Sequence, residues 1–154
     1  VTHDWVHVAV TRQRSTGKVD IYINGFLDGT GFGGNEALSA SPQLQIGGSD
    51  ESRRGIDGIV DEVRIWNTVR TPQEIASNLR KTLVGDEPGL VAYYRLDETS
   101  GAQAVDSSSA GNHAVVIGAG TWAASDAPIC INPTARDAST ADAVGTVDAA
   151  GDTR

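Results

Sequence analysis

The chain has 154 residues, enough for one domain with its own core, and an ordinary apolar content of 39%. Its 18 glycines and scarce aromatic residues favour short strands joined by tight turns over a helical bundle. The net charge of -8, with 12 Lys and Arg residues spread along the chain, speaks against a nucleic-acid partner, which draws on clustered cations. A lone Cys130 excludes an intrachain disulfide and a cysteine-rich zinc site. No apolar run approaches the length of a membrane span and no signal peptide is present, so no membrane insertion is expected. The chain opens on Val1 and contains no Met, which reads as an excised or processed piece and leaves the compartment open.

Trp5 to Thr11 alternates with three valines on one face, and Val19 to Ile23 alternates again after a loop containing Gly17. This pattern predicts an antiparallel hairpin. Asn24-Gly25 suits the positive backbone angles of a two-residue turn, so Phe26 to Gly29 is the returning strand. Thr30 to Asn35 reads as a flexible loop, Leu44 to Gly48 as a short strand, and Asp50 to Gly55 as a charged surface loop. Gly58 to Asn67 reads as a strand in which Ile59, Asp61, Val63 and Ile65 share one face. An acid among Ile and Val must be tied to backbone amides, an arginine or a metal.

Thr71-Pro72-Gln73-Glu74 gives a capping box with Pro at the first helical position. Ile75, Leu79 and Leu83 repeat every fourth residue, which predicts a helix with one narrow apolar stripe ending near Gly85. Leu90 to Leu96 is a further strand, Asp106 to Asn112 a polar turn and His113 to Ile117 a last strand before Trp122. Beyond Cys130 the sequence turns to Ala, Asp, Thr, Ser and Gly, and Asn132 to Arg154 reads as a linker or disordered tail. The whole indicates an antiparallel two-sheet sandwich with one short helix.

Trp5 to Val10, Val19 to Gly25, Leu44 to Gly48, Gly58 to Asn67 and the Thr71 helix start, in this order, resemble the laminin-G-like jelly-roll module of the concanavalin A-like lectin/glucanase superfamily. The resemblance implies an all-β jelly-roll sandwich in which residues 1–84 form the second half of a module. Residues 85–127, through Leu90 to Glu98, Ser100-Gly101, Asp106 to Ser108 and Trp122, are similar to closing strands or to the start of a following unit. Residues 128–154 then form a linker or tail. The first-half strands of the family, with their aspartate-rich segment, are missing before Val1, so the sandwich is expected to close incompletely, with exposed edges that invite pairing.

Two carboxylate pairs, Asp61-Glu62 and Asp97-Glu98, invite a catalytic reading. Adjacent strand residues point to opposite faces, however, so neither pair is a dyad for acid/base hydrolysis. The alternating Glu-x-Asp-x-x-Glu run of the glucanase relatives is also lacking, which leaves only Asp61 with Asp97 across strands and points to a non-enzyme. The resemblance implies calcium instead, with Asp61, Asp97, Asp106 and Asn112 as candidate ligands and Glu98 behind them. The Asp106 loop fails as an EF-hand because Ile117 stands where the bidentate Glu belongs. Structural glue is the alternative for Asp61, through Arg64, Arg95 or loop amides.

The three histidines are too scattered for zinc, Ser107 to Ser109 lie in a turn, and Gly29 to Gly34 lack the Lys-Ser/Thr of a phosphate cradle. The aromatic rings Trp5, Tyr22, Trp66, Tyr93 and Trp122 read as packing residues. A binding rim is expected on the loops holding Asn35, Asp50, Arg53 and Arg54. The reading that follows is a secreted or cell-surface recognition or adhesion module for a glycan or an extracellular protein, with possible Ca2+ assistance and neighbouring domains in a longer bacterial chain. A structural spacer in a repeat array and an accessory domain of a carbohydrate-active enzyme are the alternatives.

Overall fold

A computed structural model describes residues 4–37, 44–49, 54–118 and 120–130. The expected tail, Asn132 to Arg154, lies outside them, as do Asp50 and Arg53. The architecture is all-β with one short helix among the described residues, as the pattern predicts.

Strands β1 (Val8–Gln13), β2 (Lys18–Ile23) and β3 (Phe26–Phe32) form an antiparallel sheet in the order β1-β2-β3. The β2–β3 turn is the predicted one: Asn24 and Gly25 take φ of 51° and 84°, the left-handed values that a two-residue turn requires. Gly25 is also needed sterically, because a Cβ there would lie 2.9 Å from Leu79 Cδ2 and 3.3 Å from Ala76 Cα. The hairpin tip is thus pressed against the helix.

The register assigns the two faces of this sheet. Val8 faces Ile23 and Val10 faces Ile21 on one side, while Ala9 faces Tyr22 and Thr11 faces Asp20 on the other. Burial is the reverse of what hydrophobicity alone would choose. Tyr22 and Asp20 are buried, whereas Val8, Val10 and Ile21 keep 59, 62 and 41% of their surface accessible. The Tyr22 side forms a pocket with Val69, Arg70, Thr71 and Pro72, and the valine side stays open.

Two short strands, β4 (Gly48–Ser49) and β5 (Arg54–Gly55), pair antiparallel, and β6 (Val63–Trp66) follows. The strand expected from Gly58 begins only at Val63. Its cause is Glu62, whose φ of 54° breaks the extended path, so the alternation predicted through Ile59 and Asp61 does not hold. Helix α1 (Pro72–Asn78) carries the full capping box: Glu74 N donates to Thr71 Oγ1 and Thr71 N donates to Glu74 Oε2 at 2.8 Å.

The helix ends well short of Gly85. The Asn78 carbonyl accepts from Arg64, and from Arg80 onward the backbone pairs with Cys130. Leu83 consequently leaves the helix stripe and packs with Leu90 and Tyr93.

Strand β7 (Leu90–Tyr94) pairs with β6, so residues on either side of position 84 share one sheet. Strands β8 (Gln103–Ala104) and β9 (Ala114–Val115) close a last hairpin. Among the described residues two clusters form the core: Leu83, Leu90 and Tyr93 with Trp66, and Ala92, Tyr94 and Ala104 with Val63, Ile65, Leu96 and Trp122. No described helix is long and apolar enough to cross a membrane.

An open valine face is a surface that apolar dyes and other chains can occupy. Val10→Lys is expected to leave the thermal midpoint unchanged, since Val10 is exposed, and to cut anilinonaphthalene-sulfonate fluorescence by roughly half.

Candidate functional site

Of the neighbouring acids Asp61 and Glu62, it is Glu62, one residue beyond the predicted one, that enters the wider network. Its side chain retains 11% of its surface and sits 2.7 Å from Arg64. Tyr93 Oη shares its proton between Glu62 Oε2 at 2.7 Å and Oε1 at 2.9 Å, and accepts in turn from Leu83 N at 3.3 Å. Arg64 further donates to the Asn78 and Lys81 carbonyls and lies over the Tyr93 ring. Burial first, and the Glu62 charge second, push the Tyr93 phenol far above its ordinary range. Tyr93 is therefore a fixed donor, and the cluster is a structural joint.

Asp61 is half-buried and accepts from Glu62 N at 2.9 Å and from Ser125 Oγ at 2.5 Å. Of the partners expected for it, a backbone amide is realised. Asp97 pairs with Arg95 at 2.8 Å. Glu98 accepts from Val105 N at 2.7 Å.

Asp106 is the most completely coordinated acid. Oδ1 accepts from Tyr93 N and Ser108 N, each at 2.8 Å, and Oδ2 from Ser108 Oγ at 2.8 Å and Asn112 N at 2.7 Å. These four donors use the lone-pair directions of a carboxylate. Burial alone would raise the Asp106 pKa, but the hydrogen bonds outweigh it and hold the group below its ordinary value. The structure brings Asp106 and Asn112 together through the Asn112 amide, while the Asn112 side chain donates to Val91 O at 2.7 Å. Among the described residues no three His, Cys, Asp or Glu side chains converge as a metal group would.

The described residues also enclose concavities. A cleft of about 640 Å³ runs between the β1 strand and the 56–66 segment, with Trp5, His7, Asp61, Arg64 and Trp66 among its lining residues. Trp5 Nε1 donates to Asp126 at 2.6 Å, and burial, with Arg64 second, holds His7 below its ordinary pKa. The second, of about 550 Å³, lies on the Tyr22 side of the three-stranded sheet and is lined by Lys18, Asp20, Phe26, Leu27 and Arg70 as well. An expectation centred on loops overlooks it, because most of its residues belong to strands.

The expected rim is placed in part. Asn35 is exposed on a loop that Arg12 and Arg14 fasten, Arg12 donating to Gly34 O at 2.5 Å and Glu36 O at 2.7 Å and Arg14 to Asn35 O at 3.3 Å. The backbone of Arg54 pairs in β5 with Ser49. Asp50 and Arg53 lie outside the described residues.

A capped helix, a two-residue hairpin and short antiparallel sheets define a concanavalin A-like all-β sandwich. Residues 1–76, just under half of the chain, match the laminin-G profile of the concanavalin A-like lectin/glucanases superfamily. A 1.50 Å crystal structure of an inferred carbohydrate-binding protein from Bacteroides ovatus ATCC 8483 is similar at 28% identity, with a TM-score of 0.62. The match covers 86% of this chain and 39% of that one. None of the curated proteins matches the chain.

Asp20, Glu74 and Asp106 all have lowered pKa values, so the stability they supply is present above the ordinary values of 3.8 to 4.5 and is lost as pH falls through the depressed ones. The thermal midpoint is expected to decline slightly from neutral pH to about 5, because the unfolded chain protonates His7 more readily than the fold does, and to fall steeply below about 4. Asp106→Ala is expected to lower the unfolding free energy by about 2 kcal/mol in a urea titration, as its buried donors lose their acceptor.

Proposed function

We propose that this chain is a non-catalytic recognition module that binds a glycan outside the cell or at its surface. The observation that carries the reading is the laminin-G-like match of residues 1–76, joined to a longer relative inferred to bind carbohydrate. The acids support the non-catalytic part. Glu62 is occupied by Tyr93 and Arg64, Asp61 by Ser125 and a backbone amide, and Asp97 by Arg95. A hydrolase needs two carboxyl groups facing each other across a substrate, one of them free to give up a proton.

Calcium assistance belongs to the same proposal through Asp61 and Asp97, because the Asp106 lone pairs already have donors. The extensive use of acids as internal ties favours the structural-spacer reading as the competitor.

A glycan array probed with the purified chain, with and without a calcium chelator, tests both parts. Binding to a defined set of glycans is expected. Loss of that binding in chelator supports calcium, and retention removes it. A silent array, with no calcium-dependent shift in melting, favours the spacer, and polysaccharide hydrolysis abolished by Asp61→Asn overturns the non-catalytic assignment.

A further inference from the structure

The register lays out the open face of the three-stranded sheet in three rows. Val8, Ile23 and Phe26 form the first, Val10, Ile21 and Gly29 the second, and Arg12, Val19 and Gly31 the third. Val8, Val10, Ile21 and Phe26 are 59, 62, 41 and 80% exposed. Together they show about 450 Å² of apolar surface, an extent at which a patch on a monomer marks an interaction site. Arg12, the cation of these rows, is spent on the carbonyls of Gly34 and Glu36.

The face also has relief. Phe26 stands as a knob at the start of β3, its place fixed by the left-handed Asn24-Gly25 turn and by the close approach of Gly25 to Ala76 and Leu79. Gly29 and Gly31 leave the far end of the same strand bare, since a Cβ at either would meet no atom within 4 Å. Glycine weakens a strand, and its use inside one often marks where another backbone comes close.

We infer that this face packs against the same face of a second copy of the chain, about a two-fold axis that crosses the strands at the row of Val10, Ile21 and Gly29. That axis reverses the strand direction and exchanges the first and third rows, so each Phe26 ring enters the bare stretch at Gly31 of the other copy. The aliphatic stem of Arg12 then lies on Val8 of the other copy. Knob and notch sit on one strand at opposite sides of the middle row, which is the self-complementarity an isologous interface requires. Facing sheets align their strands to within about 30° and interdigitate their side chains, which rows of Val and Ile allow.

The two copies cover about 1,000 Å² in total, the size of a weak, reversible dimer with a dissociation constant on the order of 50 µM. The net charge of -8, with Asp28 at the bulge of β3, makes the copies repel, so salt favours the dimer. The pocket on the Tyr22 side lies on the opposite face and stays open in the dimer. The inference is independent of the glycan-binding reading.

Sedimentation velocity of the full chain from about 1 to 500 µM tests the pairing. A dimer is expected with its midpoint near ~50 µM, tightening as salt rises from about 50 to 500 mM. Phe26→Lys and Gly31→Glu are each expected to weaken it more than about tenfold and to leave the melting midpoint of the dilute chain unchanged, because both positions are exposed. An equimolar mixture of the two variants is expected to regain most of the lost affinity. One knob position then meets an oppositely charged notch, and the other Phe26–Gly31 contact is kept. Should either charged variant melt early, Phe26→Ala carries the test, with a roughly fivefold loss expected.

A monomer at every concentration overturns the proposal and leaves the face to a different polypeptide. A dimer indifferent to the variants at Phe26 and Gly31 overturns it as well. Growth beyond a dimer does the same, since it signals strand edges adding one to another. A mixture that gains nothing over either variant alone overturns the two-fold register.

Discussion

The largely enclosed carboxylate of Glu62 is the constraint on which the middle of this structure depends. Removing an ionised group from water is costly unless its charge and lone pairs are met, and here Arg64 and Tyr93 meet them. Each partner belongs to a different stretch of chain. Arg64 extends the tie to the carbonyls that end the helix, and Tyr93 carries it into β7 and to the Leu83 amide. The left-handed backbone of Glu62, unfavourable by about 1 to 3 kcal/mol, persists because these bonds fix it from several sides. Losing either partner would leave a buried charge uncompensated, so helix end, β6 and β7 stand or fall together.

What the sequence discloses and what it hides follow the same division between local and distant contacts. The Asn24-Gly25 turn, the β1–β2 hairpin and the Thr71 capping box depend on residues within a few positions of one another, and all three are legible. The parity of the Asp61 strand is not. Side chains alternate with a period of two, so one residue at positive φ breaks the assignment of faces for everything before it. Glu62, not Asp61, therefore meets Arg64 and Tyr93, and nothing in the local pattern marks it. The helix end was hidden for a similar reason, since the backbone contact between Arg80 and Cys130 spans much of the chain.

The candidate site shows the limit from the functional side. Loops were the natural place to expect binding residues, and Asn35 is indeed exposed on a fastened loop. Phe26 reads in sequence as an ordinary strand residue following a turn. Only the docking of that turn against Ala76 and Leu79 decides that Phe26 and Leu27 lie along a pocket lined also by Lys18 and Asp20.

The two faces of the three-stranded sheet then divide the work of the domain. A strand with valines on one side and Thr11, Asp20 and Tyr22 on the other would ordinarily bury the valines. Here the capped helix and the segment before it occupy the polar side, where their walls turn a flat sheet into a pocket that holds the Lys18–Asp20 ion pair. The valine side keeps Val8, Val10 and Ile21 exposed, an apolar surface suited to packing and unsuited to recognising hydroxyls. Specific recognition needs directional donors and acceptors held in place, and on this sheet the register puts Asp20 and Lys18 on the walled side.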